Sequence, residues 1–225
     1  NLPKIISALF VLPLPALHAL IVDDNSPDGT GHLADALAAE HPGRLTVLHR
    51  PQKQGLGRAY LEGFQLALEA GAEAIGQMDA DFSHPPEKIP ELAQALTTCD
   101  IAFGSRYTPG GSVDETWPRW RKALSAFGNF YARTILGLPI RDATGGFRLF
   151  RRGVLLDMPL GRVRSNGYVF QVEMAYLAHL LGYTFQEIPI YFADRKWGQS
   201  KMSPRIQIEA ALRVWQVRFA YRDLR

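Results

Sequence analysis

Two aspartates that flank one small residue, Asp79 and Asp81 around Ala80, form the most distinctive chemical pattern in the sequence. They follow an apolar run over residues 74–78, which predicts a strand that ends directly before them. Carboxylates at this spacing on a strand-exit turn can face one hard cation, and oxygen ligands favour Mg²⁺ or Mn²⁺ over Zn²⁺. An isolated D-x-D is more often a solvated turn with helix-capping acids, so the interpretation depends on its surroundings.

A second acidic turn supplies part of those surroundings. Asp23 and Asp24 follow the apolar residues 19–22, which again predict a strand. An aspartate at a strand end can accept hydrogen bonds from a base or ribose and orient a nucleotide, although a turn with a helix cap is the alternative. Because ligands of parallel sheets bind at the carboxyl ends of the strands, we expect both acidic turns at one edge.

The elements that position these turns alternate along the first half of the chain. Apolar runs predict strands at 19–22, 45–48, 74–78 and 100–104, and helical patterns follow the first three. This alternation predicts an α/β fold with a mostly parallel central sheet flanked by helices. The second half is less regular, with these predicted segments: helices over 117–136 and 170–181, a strand over 184–192, a basic loop over 194–203 and a terminal helix from 204.

Composition excludes several classes of protein. The 225 residues are 47% hydrophobic and 21% charged with a mean hydropathy of −0.09, which excludes a disordered or fibrous chain. The single cysteine, Cys99, excludes an intrachain disulfide and a cysteine-based metal cage, and its isolation favours an intracellular protein. The apolar stretch 8–22 is interrupted by prolines and is too short to span a bilayer. We interpret the start of the chain as truncated rather than as a targeting signal.

Charge is distributed unevenly between the two halves. Residues 1–110 contain 7 basic and 13 acidic side chains, whereas residues 111–225 contain 18 and 9. The pattern indicates a front half that holds cations and a back half that meets anions. We therefore predict one domain over 1–225, in which the first half holds cations and the second half meets anions such as phosphate, a lipid headgroup or nucleic acid. The basic half has no helix-turn-helix, zinc-finger or RNA-binding signature, which argues against a nucleic-acid partner.

Six motifs, taken in order, resemble a known family. The sequence looks like the dolichol-phosphate mannose synthases and bacterial polyprenol-phosphate mannosyltransferases, which are inverting family 2 glycosyltransferases with the GT-A (Rossmann-like) fold. The resemblance implies transfer of mannose from GDP-mannose to dolichyl or polyprenyl phosphate, with Mg²⁺ or Mn²⁺. The ordered set is specific, although no single motif is. The motifs are V-D-D-N-S-P-D-G-T (22–30), M-D-A-D-F-S-H-P-P-E (78–87), G-S-R-Y (104–107), D-A-T-G-G-F-R-L-F (142–150), G-Y-V-F-Q-V-E (167–173) and D-R-K-W-G-Q-S-K (194–201).

The resemblance implies a single glycosyltransferase domain over 1–225, with a nucleotide- and metal-binding half (1–106) and an acceptor- and membrane-facing half (107–225). It also implies roles for residues on the donor side. Ser83 stands where some relatives use glutamine as a further metal ligand, and its shorter hydroxyl is expected to act through water. The remaining donor residues bind the nucleotide directly or hold its diphosphate through the metal. The nucleotide residues are Val22 and Asp24, and the diphosphate residues are Asp79, Ala80 and Asp81.

The acceptor side is expected to position anions. A lipid phosphate monoester is already anionic near pH 7, so it needs no strong base, and catalysis becomes a matter of placing charges. We expect Asp81 and the metal to hold the donor, and Asp142 to lie at the acceptor, although a simple turn role explains Asp142 equally well. Basic residues match the phosphate-binding positions of the family: Arg106, Arg195 and Lys201, with weaker matches at Arg121 and Arg148.

The terminal helix has two interpretations. It is basic and aromatic, so it can lie in a membrane interface, or it packs on the core while its arginines reach solvent. Because the implied acceptor is a lipid, the first interpretation predicts a peripheral protein at the cytoplasmic face of a membrane. Some family members recruit a small membrane-anchoring subunit, which is a further expected partner. The helix residues concerned are Ile206, Ile208, Leu212, Trp215, Phe219 and Tyr221 beside Arg205, Arg213, Arg218, Arg222 and Arg225.

One departure from the family leaves the function open. The family begins with a strand that ends in P-x-Y-N-E, and this chain has no counterpart, so we expect the first strand to be missing and a sheet edge to be unpaired. Two alternatives therefore remain beside the mannosyltransferase. One is a related enzyme that uses UDP-glucose or another donor, and the other is a non-catalytic nucleotide-binding fragment.

Overall fold

The strands are short and come mostly from the apolar runs of the sequence. A computed structural model describes residues 1–194 and 204–224. Its strands are β1 (Ala19–Asp23), β2 (Leu45–His49), β3 (Ala74–Gln77), β4 (Ile101–Ser105), β5 (Ser112–Val113), β6 (Arg148–Arg151), β7 (Phe185–Pro189) and β8 (Tyr191–Phe192).

Helices connect these strands, and short 3-10 turns lie at 86–88, 160–162 and 222–224. Several helices begin where prolines or glycines interrupt the preceding segment, as at Pro118 before α5. The helices are α1 (Leu2–Phe10), α2 (Thr30–Glu40), α3 (Leu56–Glu69), α4 (Ile89–Ala95), α5 (Arg119–Leu136), α6 (Arg152–Asp157), α7 (Gly167–Leu180) and α8 (Pro204–Ala220).

The strands form three sheets. The central sheet has the order β3-β6-β4-β7, in which β4 and β7 are parallel and β6 runs antiparallel to both of its neighbours. Two smaller parallel pairs are β1-β2 and β5-β8. Parallel strands flanked by helices confirm the predicted α/β class. The antiparallel β6 was not predicted, because its four residues directly follow a glycine-rich turn and have no clear alternation.

The core lies between the central sheet and α7. Every residue of β4 is buried, and ten of the fourteen residues of α7 are buried. A helix that is apolar around its whole circumference is expected at such a central position. Phe170 of α7 and Phe150 of β6 are fully buried within this cluster. Cys99, the single thiol, is buried in a second cluster beside α4.

Two local differences from the sequence predictions concern sheet edges. The predicted strand over 184–192 is divided into β7 and β8, because Ile190 turns to pair with Ser105 on one side and with Ser112 on the other. β1 and β3 belong to separate sheets, and no strand within residues 1–194 and 204–224 pairs with both. The expected absence of a first strand, and the single-domain boundary, stay predictions.

Candidate functional site

The turn after β3 places the predicted metal-binding aspartates at the carboxyl end of that strand. β3 ends at Gln77, and the side chains of Asp79 and Asp81 follow in half-buried positions. Asp81 Oδ1 accepts hydrogen bonds from the Ser83 backbone N–H at 2.9 Å and from its hydroxyl at 2.5 Å. Phe82 has a φ of 63°, a left-handed backbone that costs a non-glycine residue about 1–2 kcal/mol. The turn is therefore tight and strained, as is common at functional sites.

Two aromatic rings hold Asp79, one through its carboxylate and the other through its backbone N–H. The Tyr60 hydroxyl lies 3.4 Å from Asp79 Oδ1, and its ring stacks on Phe170 with a centroid distance of 5.7 Å. Burial raises the Tyr60 pKa, so the phenol keeps its proton and donates. His84 Nδ1 accepts the Asp79 backbone N–H at 2.9 Å, while its ring stacks on Phe147. Burial lowers the His84 pKa, which keeps the imidazole neutral and able to accept this bond.

The donor chemistry of the turn fits a hard divalent cation. Within residues 1–194 and 204–224, no group of three or more His, Cys, Asp or Glu side chains is arranged to hold a metal. The turn offers two carboxylates, a set that suits Mg²⁺ or Mn²⁺ when substrate phosphates or waters complete the coordination. The Ser83 hydroxyl is fully buried and donates to Asp81, so the structure places it behind that carboxylate. Ala80 between the aspartates is exposed.

The acidic turn after β1 is tied to a buried arginine. Asp24 forms an ion pair with Arg50, whose Nε and Nη2 also donate to the Glu62 carboxylate at 3.0 Å. The Glu62 and Asp24 carboxylates raise the Arg50 pKa against the opposing effect of burial. Val22 lies half-buried on β1, and α3 approaches it so closely that a Cβ on Gly63 would be 3.1 Å from its methyl group. Both predicted nucleotide residues therefore lie at the end of one strand, with Asp24 held by Arg50.

Arg106 and Asp142 form a buried ion pair in the second half of the chain. Arg106 Nε and Nη2 donate to the two carboxylate oxygens at 2.7 and 2.6 Å, and the Arg106 backbone N–H donates to the same group at 2.9 Å. Burial opposes both charges, but the Coulombic attraction and hydrogen bonds between them prevail, so the Asp142 pKa is lowered and the Arg106 pKa is raised. Thr144 and Asn129 extend the pair through 2.9 and 3.0 Å hydrogen bonds. The Nε and Nη2 donors of Arg106 are therefore already bonded to protein atoms.

Arg148 is fully buried, and its guanidinium donates hydrogen bonds to backbone carbonyl oxygens. It donates to the carbonyl oxygens of Gly145, Gln171 and Ala143 at 2.9, 2.6 and 2.7 Å. Its guanidinium also lies 4.6 Å from the centre of the Phe103 ring. Arg148 therefore shapes the glycine-containing turn and has no exposed surface with which to meet a ligand.

A buried amide pair connects that turn to the aspartates. Gln77 Nε2 donates to the Gly146 carbonyl at 3.0 Å and to Gln171 Oε1 at 2.6 Å. A Cβ at Gly146 would lie 4.0 Å from Asp79 Oδ1 and 3.5 Å from the His84 ring. The glycine turn of the second half therefore packs directly against the acidic turn of the first half.

Of the remaining predicted basic residues, only Arg121 is described, since Arg195 and Lys201 lie outside the described residues. Asp194 accepts a hydrogen bond from Arg121 Nη1 at 3.1 Å. The Arg121 guanidinium stacks on Trp117 at 3.7 Å from the ring centre. Arg121 is thus held by Asp194 and Trp117.

α8 combines features of both interpretations of the terminal helix. Tyr221, just beyond its end, is buried and donates to Glu173 at 2.6 Å, while Arg218 donates to the Ile135 carbonyl. One face of the helix is therefore packed on the core. Ile208, Leu212, Trp215 and Phe219 on the other face are 43–65% exposed. None of the described helices has the length and apolar character needed to traverse a bilayer.

Several residues of the site were not identified from the sequence. Arg50, Tyr60, His84 and Gln171 all contact predicted site residues or their turn. Only His84 carried a local signal, since it lies three residues after Asp81 and precedes two prolines that fix the exit of the turn. The other three approach from distant helices or strands.

Comparisons with known proteins identify the family of the chain. The family model described as Glycosyl transferase family 2 matches residues 1–158. The polyprenol monophosphomannose synthase of Mycolicibacterium smegmatis is 45% identical over 97% of this chain and 83% of its own length. The undecaprenyl-phosphate mannosyltransferase of Micrococcus luteus is 44% identical over 94% of this chain and 87% of its own length.

Solved structures support the fold. A mannosyltransferase from Pyrobaculum calidifontis, determined with GDP-Man and Mn²⁺, superposes with a TM-score of 0.59 at 17% identity, covering 99% of this chain and 65% of that one. The glucosyl-3-phosphoglycerate synthase of Mycobacterium tuberculosis with UDP gives 0.58 at 17% identity, covering 89% of this chain and 67% of the other. At this level of identity the likeness concerns the GT-A-like fold alone.

Proposed function

Because the chain belongs to glycosyl transferase family 2, we propose that this glycosyltransferase moves mannose from GDP-mannose to dolichyl or polyprenyl phosphate with inversion at the sugar. The similarity to two lipid-phosphate mannosyltransferases along nearly the whole chain supports the choice of donor and acceptor. The observation that carries the chemistry is the turn with Asp79 and Asp81, held by Tyr60 and His84 at the end of β3.

On the donor side, Asp79 and Asp81 bind a divalent cation, and Val22 and Asp24 lie along the nucleotide. A bound Mg²⁺ or Mn²⁺ supplies positive charge that stabilises the diphosphate leaving group. Tyr60 and His84 fix the orientation of Asp79, so its carboxylate does not need to reorganise when the donor arrives. Ser83 steadies Asp81 through the 2.5 Å hydrogen bond and acts on the metal through that carboxylate.

On the acceptor side, the chain supplies fixed charges and no strong base. The lipid phosphate is an anionic nucleophile near neutral pH, so its approach to the anomeric carbon is limited by position and by repulsion from the donor diphosphate. Arg106 has its charge already paired to Asp142, so its role is to support the acceptor side and not to bind a phosphate directly. Arg195 and Lys201 are the basic residues that steady the two phosphates.

The acceptor places the enzyme at a membrane. A lipid phosphate stays in the bilayer, so the chain works as a peripheral protein on the cytoplasmic face, where nucleotide sugars are available. The exposed apolar residues of α8 and its neighbouring arginines support this location. A small membrane-anchoring subunit is an additional partner that would strengthen the contact.

The test is transfer of labelled mannose from GDP-mannose to a short polyprenyl phosphate in detergent with Mn²⁺, counted in the organic phase. Asp81→Asn should lower transfer by about 10²–10³-fold, whereas Glu69→Gln, which removes the charge of an exposed acid at the end of α3 that accepts a hydrogen bond from Gln65, should leave it unchanged. Transfer from UDP-glucose in place of GDP-mannose would move the assignment to the enzyme with another donor. GDP binding without turnover of either donor would support the non-catalytic alternative.

A further inference from the structure

Two consecutive residues at the end of β2 hold the turn after β1. His49 pairs in register with Asp23, and the next residue, Arg50, donates its backbone N–H to the Asp23 carbonyl at 2.9 Å. Side chains alternate along such an extended segment, so the two residues reach different neighbours. His49 Nε2 bonds to Asp35 of α2 at 2.7 Å, whereas the Arg50 guanidinium bonds to Glu62 of α3. The turn is therefore connected to two helices.

Arg50 is a buried cation whose donors are divided between two carboxylates. Its side chain is 2% exposed. Nε and Nη2 each donate to the Glu62 carboxylate at 3.0 Å, and Nη1 donates to Asp24 Oδ1. Because the two bonds to Glu62 fix the plane of the guanidinium, Nη1 meets Asp24 from one direction. Through Arg50, α3 therefore sets the position of one oxygen of Asp24.

The second carboxylate oxygen of Asp24 remains for a ligand. Among residues 1–194 and 204–224, the Asp24 side chain accepts hydrogen bonds from Arg50 alone, at Oδ1. The side chain is 21% exposed, so a ligand can reach it. An ionised carboxylate accepts hydrogen bonds and does not donate them. Its partner on a nucleotide is therefore an N–H group of the base or a ribose hydroxyl.

The cost of burying Arg50 argues for a role beyond packing. Burial opposes its charge, and the Glu62 and Asp24 carboxylates compensate by raising the Arg50 pKa. Buried ion pairs often add no more stability than apolar residues of the same volume. Charged hydrogen bonds are directional, however, and they restrict the angle at which a carboxylate lies. The arrangement thus contributes orientation more than stability.

We propose that Arg50 is a positioning residue for the donor nucleotide, which it serves by holding Asp24 with Oδ2 toward an N–H or O–H group of the nucleoside. The inference rests on the proposed function, since it explains how that enzyme fixes the nucleoside end of its donor. An acceptor that is already oriented lowers the cost of ordering on binding. Because Tyr60 of the same helix contacts Asp79, α3 then supports both acidic turns.

The test is the Kd for GDP with Mn²⁺, measured by isothermal titration calorimetry on the full chain. Arg50→Met removes the charge, and the two carboxylates left behind are 21 and 45% exposed, so water can solvate them. The Kd should rise about tenfold. Arg152→Met is the matched control, since Arg152 donates to the Leu68 and Ala72 carbonyls at the C-terminal end of α3. It should bind GDP like the wild type.

A double variant separates positioning from an independent role. If Arg50 acts through Asp24, Arg50→Met/Asp24→Asn should bind GDP within about twofold of Asp24→Asn alone. Losses that multiply would overturn the proposal. Glu62→Gln alters an exposed residue that holds Arg50 and should raise the Kd about threefold. An unchanged Kd in Glu62→Gln would overturn the proposal even if Arg50→Met failed to fold.

Two analogues of GDP distinguish the base from the ribose as the group that Asp24 meets. Inosine diphosphate lacks the exocyclic amino group of guanine, and a dideoxy analogue of GDP lacks the ribose hydroxyls. Any preference of the wild type for GDP that Asp24→Asn loses should also be lost in Arg50→Met. An Arg50→Met protein that kept this preference would overturn the proposal.

Kinetics separates this inference from the proposed function. The KM of Arg50→Met for GDP-mannose should rise about tenfold, while kcat at saturating donor stays within about twofold of the wild type, because the lost contact acts on binding. An unchanged KM would overturn the inference alone. A wild type that binds GDP but transfers no mannose would contradict only the proposed function, and one that binds no GDP would overturn both.

Discussion

Two regions of the molecule stabilise their charged groups in opposite ways. One is the acidic turn at Asp79–Asp81, and the other is the buried cluster of Arg106, Asp142 and Arg148. The aspartates are half-buried, and the contacts described above fix their orientation. The residues of the cluster are at most 8% exposed, and their charged atoms are paired with each other or with backbone carbonyls.

This difference separates groups that meet a ligand from groups that support them. A half-buried carboxylate can exchange water for a cation at little cost, whereas a buried ion pair cannot lose one partner without leaving the other charge unsolvated. We therefore expect substitutions in the turn to affect activity and substitutions in the cluster to affect stability first. Each prediction below can contradict or refine that division.

The largest effect is expected at Asp81. Asp81→Asn keeps the shape of the side chain and removes the charge, so mannose transfer should fall by about 10²–10³-fold while the melting temperature changes little. Activity and thermal unfolding are measured on the same preparation, with Glu69→Gln as control. A large loss of stability in Asp81→Asn would mean that the turn supports the fold as the buried cluster does, and it would contradict the division between ligand-binding and supporting groups.

The next effect concerns the ion pair. Asp142→Asn leaves the Arg106 charge buried without its partner, and removal of one member of such a pair costs about 3–5 kcal/mol of unfolding free energy. Urea denaturation measures this cost. Glu91→Gln breaks the exposed pair with Lys88 and should change stability by less than about 0.5 kcal/mol. An Asp142→Asn protein as stable as the wild type would mean that the pair has no supporting role.

A smaller effect is expected at His84, which acts on the metal through Asp79. His84→Phe keeps the stacking on Phe147 and removes the acceptor of the Asp79 N–H, so the Mn²⁺ concentration for half-maximal activity should rise about 10–100-fold. His84→Asn restores an acceptor near the Nδ1 position and should recover part of the loss. If both variants lost stability equally without a change in Mn²⁺ dependence, His84 would be only a core residue.

The smallest effect is a pH dependence at the acid end. The pKa of Asp142 is lower in the folded chain than its unfolded value of about 3.9, so its stabilising contribution is complete above that value and is lost as pH falls through the folded pKa. The stability difference between the wild type and Asp142→Asn, measured by urea denaturation from pH 6 down to 3, should therefore be constant at first and shrink below about pH 4. A difference that shrinks already between pH 6 and 5 would indicate another group.

The sequence predicted the parts of the site that depend on local pattern. Apolar runs that end in acids located β1 and β3 and the turns after them, because strand and turn preferences act over a few residues. The contacts that hold those turns depend on distant segments. Arg106 and Asp142 are 36 residues apart, and Asp24 and Arg50 are 26 apart, and nothing in either local sequence indicates the partner.

The same limit applies to the fold. β6 is antiparallel and lies between β3 and β4, which are separated in sequence by α4, so its place follows from long-range pairing alone. The exposed side of α5, which includes Trp120 and Phe127, was also hidden, because a helix with apolar residues on two faces gives no sign of which face is buried.

The burial of Cys99 has a practical consequence for such measurements. The thiolate is the reactive form of cysteine, and burial raises the Cys99 pKa, so the native thiol reacts slowly with alkylating probes. A cysteine introduced at exposed Thr134 of α5 would therefore be labelled selectively, with no need to remove the native one. An environment-sensitive fluorophore at that position would then report in real time whether the surroundings of α5 change when substrate or vesicles are added.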